Sequence, residues 1–226
     1  MELLLDTANL DRIRKALEYY PISGLTTNPS IISKEGNIDL FDHLHRIQDL
    51  LGPERTFHVQ VISNDAEGIV REAEALRKEF GKDIYIKTPV TKEGLKAIGL
   101  MARKGFNVTA TAIYTTMQAQ LAMMAGAKYL AMYYNRMMNL DIDADKVFSE
   151  VADSIIGGGY DCKIVGASFK SVMQLTNAIA DGAHALTVPP ELLETALEHP
   201  SIEKAVADFR RDWSAIYGTR TLADMQ

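Results

Sequence analysis

Phe57-His58-Val59-Gln60-Val61, then the run from Asp65 to Phe80, then Ile84-Tyr85-Ile86-Lys87-Thr88-Pro89-Val90: two short apolar runs enclose one amphipathic segment. In the middle segment Ala66, Ile69, Val70, Ala73, Leu76 and Phe80 fall on one helical face. Glu67, Arg71, Glu74, Arg77 and Lys78 point away from it. Asn64, with Glu67 three residues on, resembles a capping pair. The flanking runs are apolar on both faces, as in a parallel sheet covered by helices. A strand, a helix and a second strand in this order predict parallel pairing through a right-handed crossover.

The same alternation extends in both directions. Leu3-Leu4-Leu5 and Gly24-Leu25-Thr26 precede it. Asn107 to Thr111, Tyr129 to Tyr133, Lys163 to Ala167 and Ala185 to Val188 follow, which makes eight strand candidates with Phe57 to Val61 and Ile84 to Lys87. Further helices are expected at Ile38 to Leu51, Thr91 to Arg103, Thr115 to Ala125 and Asp145 to Ile156. Gly157-Gly158-Gly159 is expected to stop the last of these. This order predicts an α/β fold, a closed (β/α)8 barrel occupying residues 1–226 as one domain. An open doubly wound sheet is the second choice. Asp6-Thr7-Ala8-Asn9 stands where such a sheet would carry a glycine-rich nucleotide loop, which weakens it. Beyond the eighth strand, residues 201–218 read as an additional C-terminal helix. Its stripe of Ile202, Ala205, Val206, Phe209, Trp213 and Ile216 packs either on its own barrel or on a neighbouring subunit.

Composition narrows the function classes. The 226 residues carry a net charge of -6 and 47% apolar residues, with no basic stripe, so no nucleic-acid partner is expected. The single cysteine, Cys162, excludes an internal disulfide and fits a reducing compartment. Met1 to Asp6 lacks the basic start and long apolar run of a signal peptide, and no segment has the length of a membrane span. A cytoplasmic protein without a membrane partner is the expectation. The five histidines form no ligand set, His43 and His45 lying two apart on a helix and facing apart. Neither a metal nor a cofactor is expected. Gly166-Ala167-Ser168-Phe169-Lys170 is not a hydrolase elbow.

Lys87 inside an apolar strand carries the chemistry. Burial disfavours the ammonium and lowers its pKa, and a neutral amine attacks carbonyls to form a Schiff base. Alone, such a lysine better suits an edge strand whose head group reaches water. The other strand ends change that reading: Asp6, then Thr26 and Asn28, Gln60, Lys87, Thr111, Tyr133 and Ser168 follow one another at the rim where barrels place their sites. Aldol cleavage through an iminium needs a base for the departing hydroxyl proton and a donor for carbon. Tyr133 is the candidate proton carrier. Gln60 and Thr111 can hold a water, and Asp6 and Asn28 can hold substrate hydroxyls. Arg136 and Lys170, a few residues past strands six and seven, can hold a phosphate together with Ser168.

Leu5-Asp6-Thr7-Ala8-Asn9, Gly24-Leu25-Thr26-Thr27-Asn28-Pro29-Ser30, Ile86-Lys87-Thr88-Pro89-Val90, Thr109 to Tyr114 and Gly166 to Lys170 resemble the small transaldolase and fructose-6-phosphate aldolase family. The resemblance runs from residue 1 to about residue 218. It implies a class I aldolase barrel of sugar-phosphate metabolism, around the pentose phosphate sugars, with Lys87 as the Schiff-base lysine. It also implies substrate contacts from Asp6 and Asn28, a water on Thr111 and Gln60, and phosphate on Arg136, Ser168 and Lys170. By the same resemblance the chain is expected to form pentamers paired into decamers, the last helix reaching a neighbour. Within this family, glutamine at Gln60 and tyrosine at Tyr133 look like the aldolases that cleave fructose 6-phosphate. Transaldolases look to carry glutamate and phenylalanine there. The expectation is cleavage to dihydroxyacetone and glyceraldehyde 3-phosphate. Transfer of the three-carbon unit is the alternative, and a non-catalytic sugar-phosphate-binding barrel the third. Met137 to Asp143 departs from the glycine-containing loop usual in relatives, and the added bulk and acid there bear on how aldehyde phosphates enter.

Overall fold

The computed structural model describes residues 1–225. In chain order the elements are β1 (Glu2–Asp6), α1 (Leu10–Tyr19), β2 (Gly24–Thr26), α2 (Pro29–Ile32), α3 (Leu40–Leu51), β3 (Thr56–Gln60) and α4 (Ala66–Phe80). Then come β4 (Tyr85–Pro89), α5 (Lys92–Arg103), β5 (Asn107–Ile113), α6 (Thr116–Met124), β6 (Tyr129–Tyr133), α7 (Tyr134–Met138) and α8 (Ala144–Gly158). The chain continues through β7 (Lys163–Ala167), α9 (Val172–Ala180), β8 (Ala185–Val188), α10 (Pro190–Leu197) and α11 (Pro200–Tyr217). All eight strands pair in parallel and close into a barrel, β8 returning to β1 with Glu2 opposite Ala185 and Leu5 opposite Val188. The (β/α)8 expectation is correct, and the open sheet is excluded by that last pairing.

The helix starts follow capping chemistry. Asp39, Asp65, Thr91, Thr115, Asp143 and Ser171 each accept a hydrogen bond from the backbone N–H three residues on, satisfying a donor the helix cannot. The cap of α4 is therefore Asp65, bonded to Gly68 N at 2.8 Å, and not Asn64. At the end of α8 the glycines do not stop the helix at once. Gly157 and Gly158 remain helical and Gly159, at φ +62°, turns the chain in the left-handed region.

Outward-facing strand residues such as Leu25, Ile86, Val108, Leu130 and Ile164 are buried under the helices. The barrel interior is filled by side chains, with Leu4, Tyr129, Ala131, Val165 and Ala185 clustered and Tyr85 against them. At its centre His58 is fully buried. Its ring stacks on Tyr85 at 4.5 Å and meets Tyr129 edge-on at 5.1 Å, and its nitrogens bond Thr109 Oγ1 at 2.8 Å and Thr56 Oγ1 at 3.0 Å.

Desolvation, aided by the Lys87 charge above it, pushes the His58 imidazole down to about 3. An unfolded histidine titrates near pH 6.5, so in the window between these values the unfolded chain holds the extra proton. Stability is complete above that window and falls as pH drops through it, by roughly 1.4 kcal/mol per pH unit. His58→Gln is expected to flatten this acid slope. Urea midpoints measured from pH 7 down to pH 4 test it, and a slope equal to the wild type would remove His58 as its cause.

Two compact units are distinguished, residues 1–190 and the segment from Glu191 onward. In the second, α11 is stapled along its polar face by Asp208 with Lys204 and Arg211, each at 2.7–2.8 Å. Trp213 packs on Tyr217 at 4.6 Å and donates to Arg220 O at 2.7 Å. Ile202, Val206, Phe209 and Ile216 are exposed on this helix, Phe209 by 70%.

Candidate active site

Lys87 lies in the middle of β4 and not at its end, because β5 continues to pair beyond it, with Pro89 opposite Thr111. Its side chain is only 2% exposed, and Nζ donates to the Thr27 carbonyl at 3.3 Å. Desolvation holds the amine below the usual lysine range. The Asp6 carboxylate opposes that shift and Arg136 adds to it. Gln60, the last residue of β3, stands opposite Lys87 in register, and its buried Oε1 has no protein partner. A buried acceptor left open beside a buried amine is an unsatisfied group that a substrate hydroxyl or a water can complete.

Asp6 closes β1 and receives a hydrogen bond from Thr26 Oγ1 at 3.0 Å, and Thr26 Oγ1 is 2.7 Å from Thr187 Oγ1 on β8. Burial raises the Asp6 carboxyl above the usual carboxylate range, and Lys87, Thr26, Lys34 and Arg136 pull it back. The amine and the carboxyl are thus poised against each other, each in the less ionised direction.

On the facing strands Thr111 Oγ1 donates to the Tyr133 phenol oxygen at 3.1 Å. The Arg136 guanidinium sits 4.7 Å over the Tyr133 ring, and Nη1 donates to Tyr114 Oη at 3.5 Å. Tyr114 in turn meets the Tyr133 ring edge-on at 5.6 Å. Two rim residues hold left-handed backbone without being glycine: Ala112 at φ +60° and Ser168 at φ +62°. Such conformations cost of order 1 kcal/mol or more and cluster where a site over-determines them.

Transaldolase/fructose-6-phosphate aldolase is the description of the family that matches residues 3–221. The chain belongs to that family. A protein from Streptococcus pneumoniae described as "probable fructose-6-phosphate aldolase" is 48% identical over 222 residues, which are 98% of this chain and 100% of the relative.

On this transaldolase/fructose-6-phosphate aldolase barrel, adjacent strands bring together Asp6, Thr26, Gln60 and Lys87 at one end, with Thr111 and Tyr133 bonded to each other and Arg136 above them. Asn28 follows β2, and its side-chain oxygen caps α2 by accepting from Ile31 N at 3.0 Å; its amide nitrogen is a donor that this cap does not use. Ser168 lies one residue past β7. Lys170 is exposed, and its backbone N–H is tied to Gln174 Oε1 at 2.7 Å.

The 137–143 segment joins the end of α7 to the start of α8. Met137 ends up fully buried within α7, Asp141 takes φ +56°, and Asp143 caps α8 through Lys146 N at 3.0 Å. Met138 and Leu140 are exposed, and Asp143, the acid that ends the segment, serves a helix start.

Residues not singled out from sequence also take part. Thr27 accepts from the lysine, Thr187 completes the Asp6–Thr26 chain, and Tyr114 supports Arg136. Thr187 carried a usable signal, being the lone polar residue in the apolar run Ala185 to Val188. Beside the rim an apolar groove of about 440 Å³ runs from Asn28 and Gln60 to Phe41 and Leu76. Among the described residues no cluster of His, Cys, Asp and Glu suits a metal ion, and no helix is long and apolar enough to cross a membrane.

Proposed function

We propose that this barrel is a class I aldolase that cleaves fructose 6-phosphate to dihydroxyacetone and glyceraldehyde 3-phosphate, and runs the reverse addition. The observation that carries the reading is the fully buried Lys87 amine between the open acceptor of Gln60 and the Asp6 carboxyl, facing the Thr111–Tyr133 pair. The name of the Streptococcus pneumoniae relative supports the substrate.

In this reading the neutral Lys87 amine adds to the C2 carbonyl, and the carbinolamine loses water to give an iminium. A water held by Gln60 and Thr111 carries protons between this nitrogen and Tyr133. Tyr133 gives its phenol proton, through that water, to the hydroxyl leaving the carbinolamine, and the resulting phenolate then takes the proton from the C4 hydroxyl as the C3–C4 bond breaks. The bonding pair flows into the iminium as an enamine, and glyceraldehyde 3-phosphate departs as the aldehyde. Proton return to C3 and hydrolysis of the second iminium release dihydroxyacetone and restore Lys87. Asp6, Thr26 and Asn28 hold the hydroxyls of the three-carbon unit. Arg136, Ser168 and Lys170 receive the phosphate, a role guanidinium serves through its fixed fork of donors.

The exposed apolar stripe of α11 supports a homo-oligomer in which that helix packs on a neighbouring subunit, pentameric or decameric by family resemblance. A cytoplasmic location is part of the same proposal.

Transfer of the dihydroxyacetone unit to another aldose is the second reading, since the family description covers both activities. Fructose 6-phosphate supplied alone, with glyceraldehyde 3-phosphate followed by a coupled dehydrogenase, separates the two. Steady release without an acceptor is expected. Release that begins only when erythrose 4-phosphate is added would make the protein a transferase.

A further inference from the structure

Two rim turns of the barrel share one construction. In the last residues of β5, Ala112 stands at φ +60°; beyond the strand the Tyr114 N–H donates to Gln118 Oε1 at 2.8 Å, and Thr115 with Gln118 forms a capping box. After β7, Ser168 at φ +62° is followed by Lys170, whose N–H donates to Gln174 Oε1 at 2.7 Å, and Ser171 caps Gln174 N at 3.4 Å. In each case a left-handed residue is held by a glutamine reaching back from the helix that follows.

The second glutamine does something more. Gln174 is only 7% exposed, and its amide nitrogen crosses to α7, donating to Asn135 Oδ1 at 2.9 Å and approaching Met138 Sδ at 3.4 Å. Asn135 and Met138 bracket Arg136 in the chain. One buried side chain therefore ties the segment carrying Ser168 and Lys170 to the short helix carrying Arg136. Packing follows the same line, with Phe169 buried 5.8 Å from the Tyr134 ring. A five-residue helix such as α7 has little stability of its own and takes its position from such contacts.

We propose that Gln174 is a positioning residue that sets the spacing between the two halves of the phosphate grip, Arg136 on α7 and Ser168 with Lys170 after β7. The proposal rests on the phosphate role assigned to those three residues. Gln174 touches neither the phosphate nor the reacting carbon. Its loss lets the two halves move apart while Lys87, Tyr133 and Gln60 stay on their strands.

The expected result for Gln174→Leu is a rise of about tenfold in KM for glyceraldehyde 3-phosphate in condensation with dihydroxyacetone, the size expected for losing a buried hydrogen-bonded link. Its kcat and both constants for unphosphorylated glyceraldehyde should stay within about twofold, since the reacting groups are untouched. Asn135→Ala cuts the same link from α7 and should shift the same constant in the same direction, which keeps the test open if the leucine variant folds poorly. Binding of inorganic phosphate by calorimetry, in the absence of any carbonyl compound, should weaken in parallel. That readout stands whether or not the barrel cleaves fructose 6-phosphate. Equal losses with both aldehydes, or unchanged phosphate binding in both variants, would overturn the proposal.

Discussion

Replacing Lys87 with methionine is expected to lower turnover of fructose 6-phosphate by about 10⁴-fold or more, as losses of covalent nucleophiles do. The adduct that borohydride fixes in the presence of dihydroxyacetone should vanish with it. Intact mass before and after reduction reads the adduct directly. Full activity in the variant, with no adduct in the wild type, would end the Schiff-base account. The same exchange has a second consequence, because Lys87 is fully buried with its pKa depressed. Between that depressed value and the ordinary 10.5, the unfolded chain binds a proton that the folded one has shed. Wild-type stability therefore rises with pH through that window. Methionine fills the volume without an ammonium to desolvate. Its stabilising advantage over lysine should be largest below the depressed value and should shrink toward pH 10.5.

Tyr133→Phe is expected to lower kcat by about 10²- to 10³-fold, the range for removing a general acid–base group. The ring stays, and with it the Arg136 stacking at 4.7 Å and the Tyr114 edge contact. What is lost is the phenol and the acceptor of the Thr111 hydrogen bond. KM should change little, and Lys87 should still be trapped by borohydride over longer incubation. A kcat within about threefold of wild type would assign the proton transfers to another group.

The barrel was legible because its strands are buried on both faces, so each appears as a short apolar run bounded by Gly, Pro, Asp or Asn. Helix starts were legible to one or two residues, since Asp65, Thr91 and Thr115 look alike whether read as caps or as first turns. Lys87 stood out because a charge in an apolar strand needs a reason. What stayed hidden depends on neighbours distant in the chain. Thr187 meets Thr26 only because β8 closes on β1. The helical turn at Tyr134–Met138 is held by Gln174 and Phe169 and has no local pattern of its own. Left-handed Ala112 and Ser168 carry side chains that give no hint of such backbone.

The seam between β1 and β8 also governs how the molecule comes into being. Residues 2–5 pair with 185–188, so during synthesis the first strand waits for nearly the whole chain before its partner exists. Until then the growing sheet has two open edges, the state most exposed to pairing with other chains. Asp6 already has Thr26 beside it, yet the Thr26–Thr187 link forms only at closure. A ribosome that stalls before residue 185 thus leaves an aggregation-prone sheet, and the rim that surrounds Lys87 is among the last parts of the molecule to be assembled.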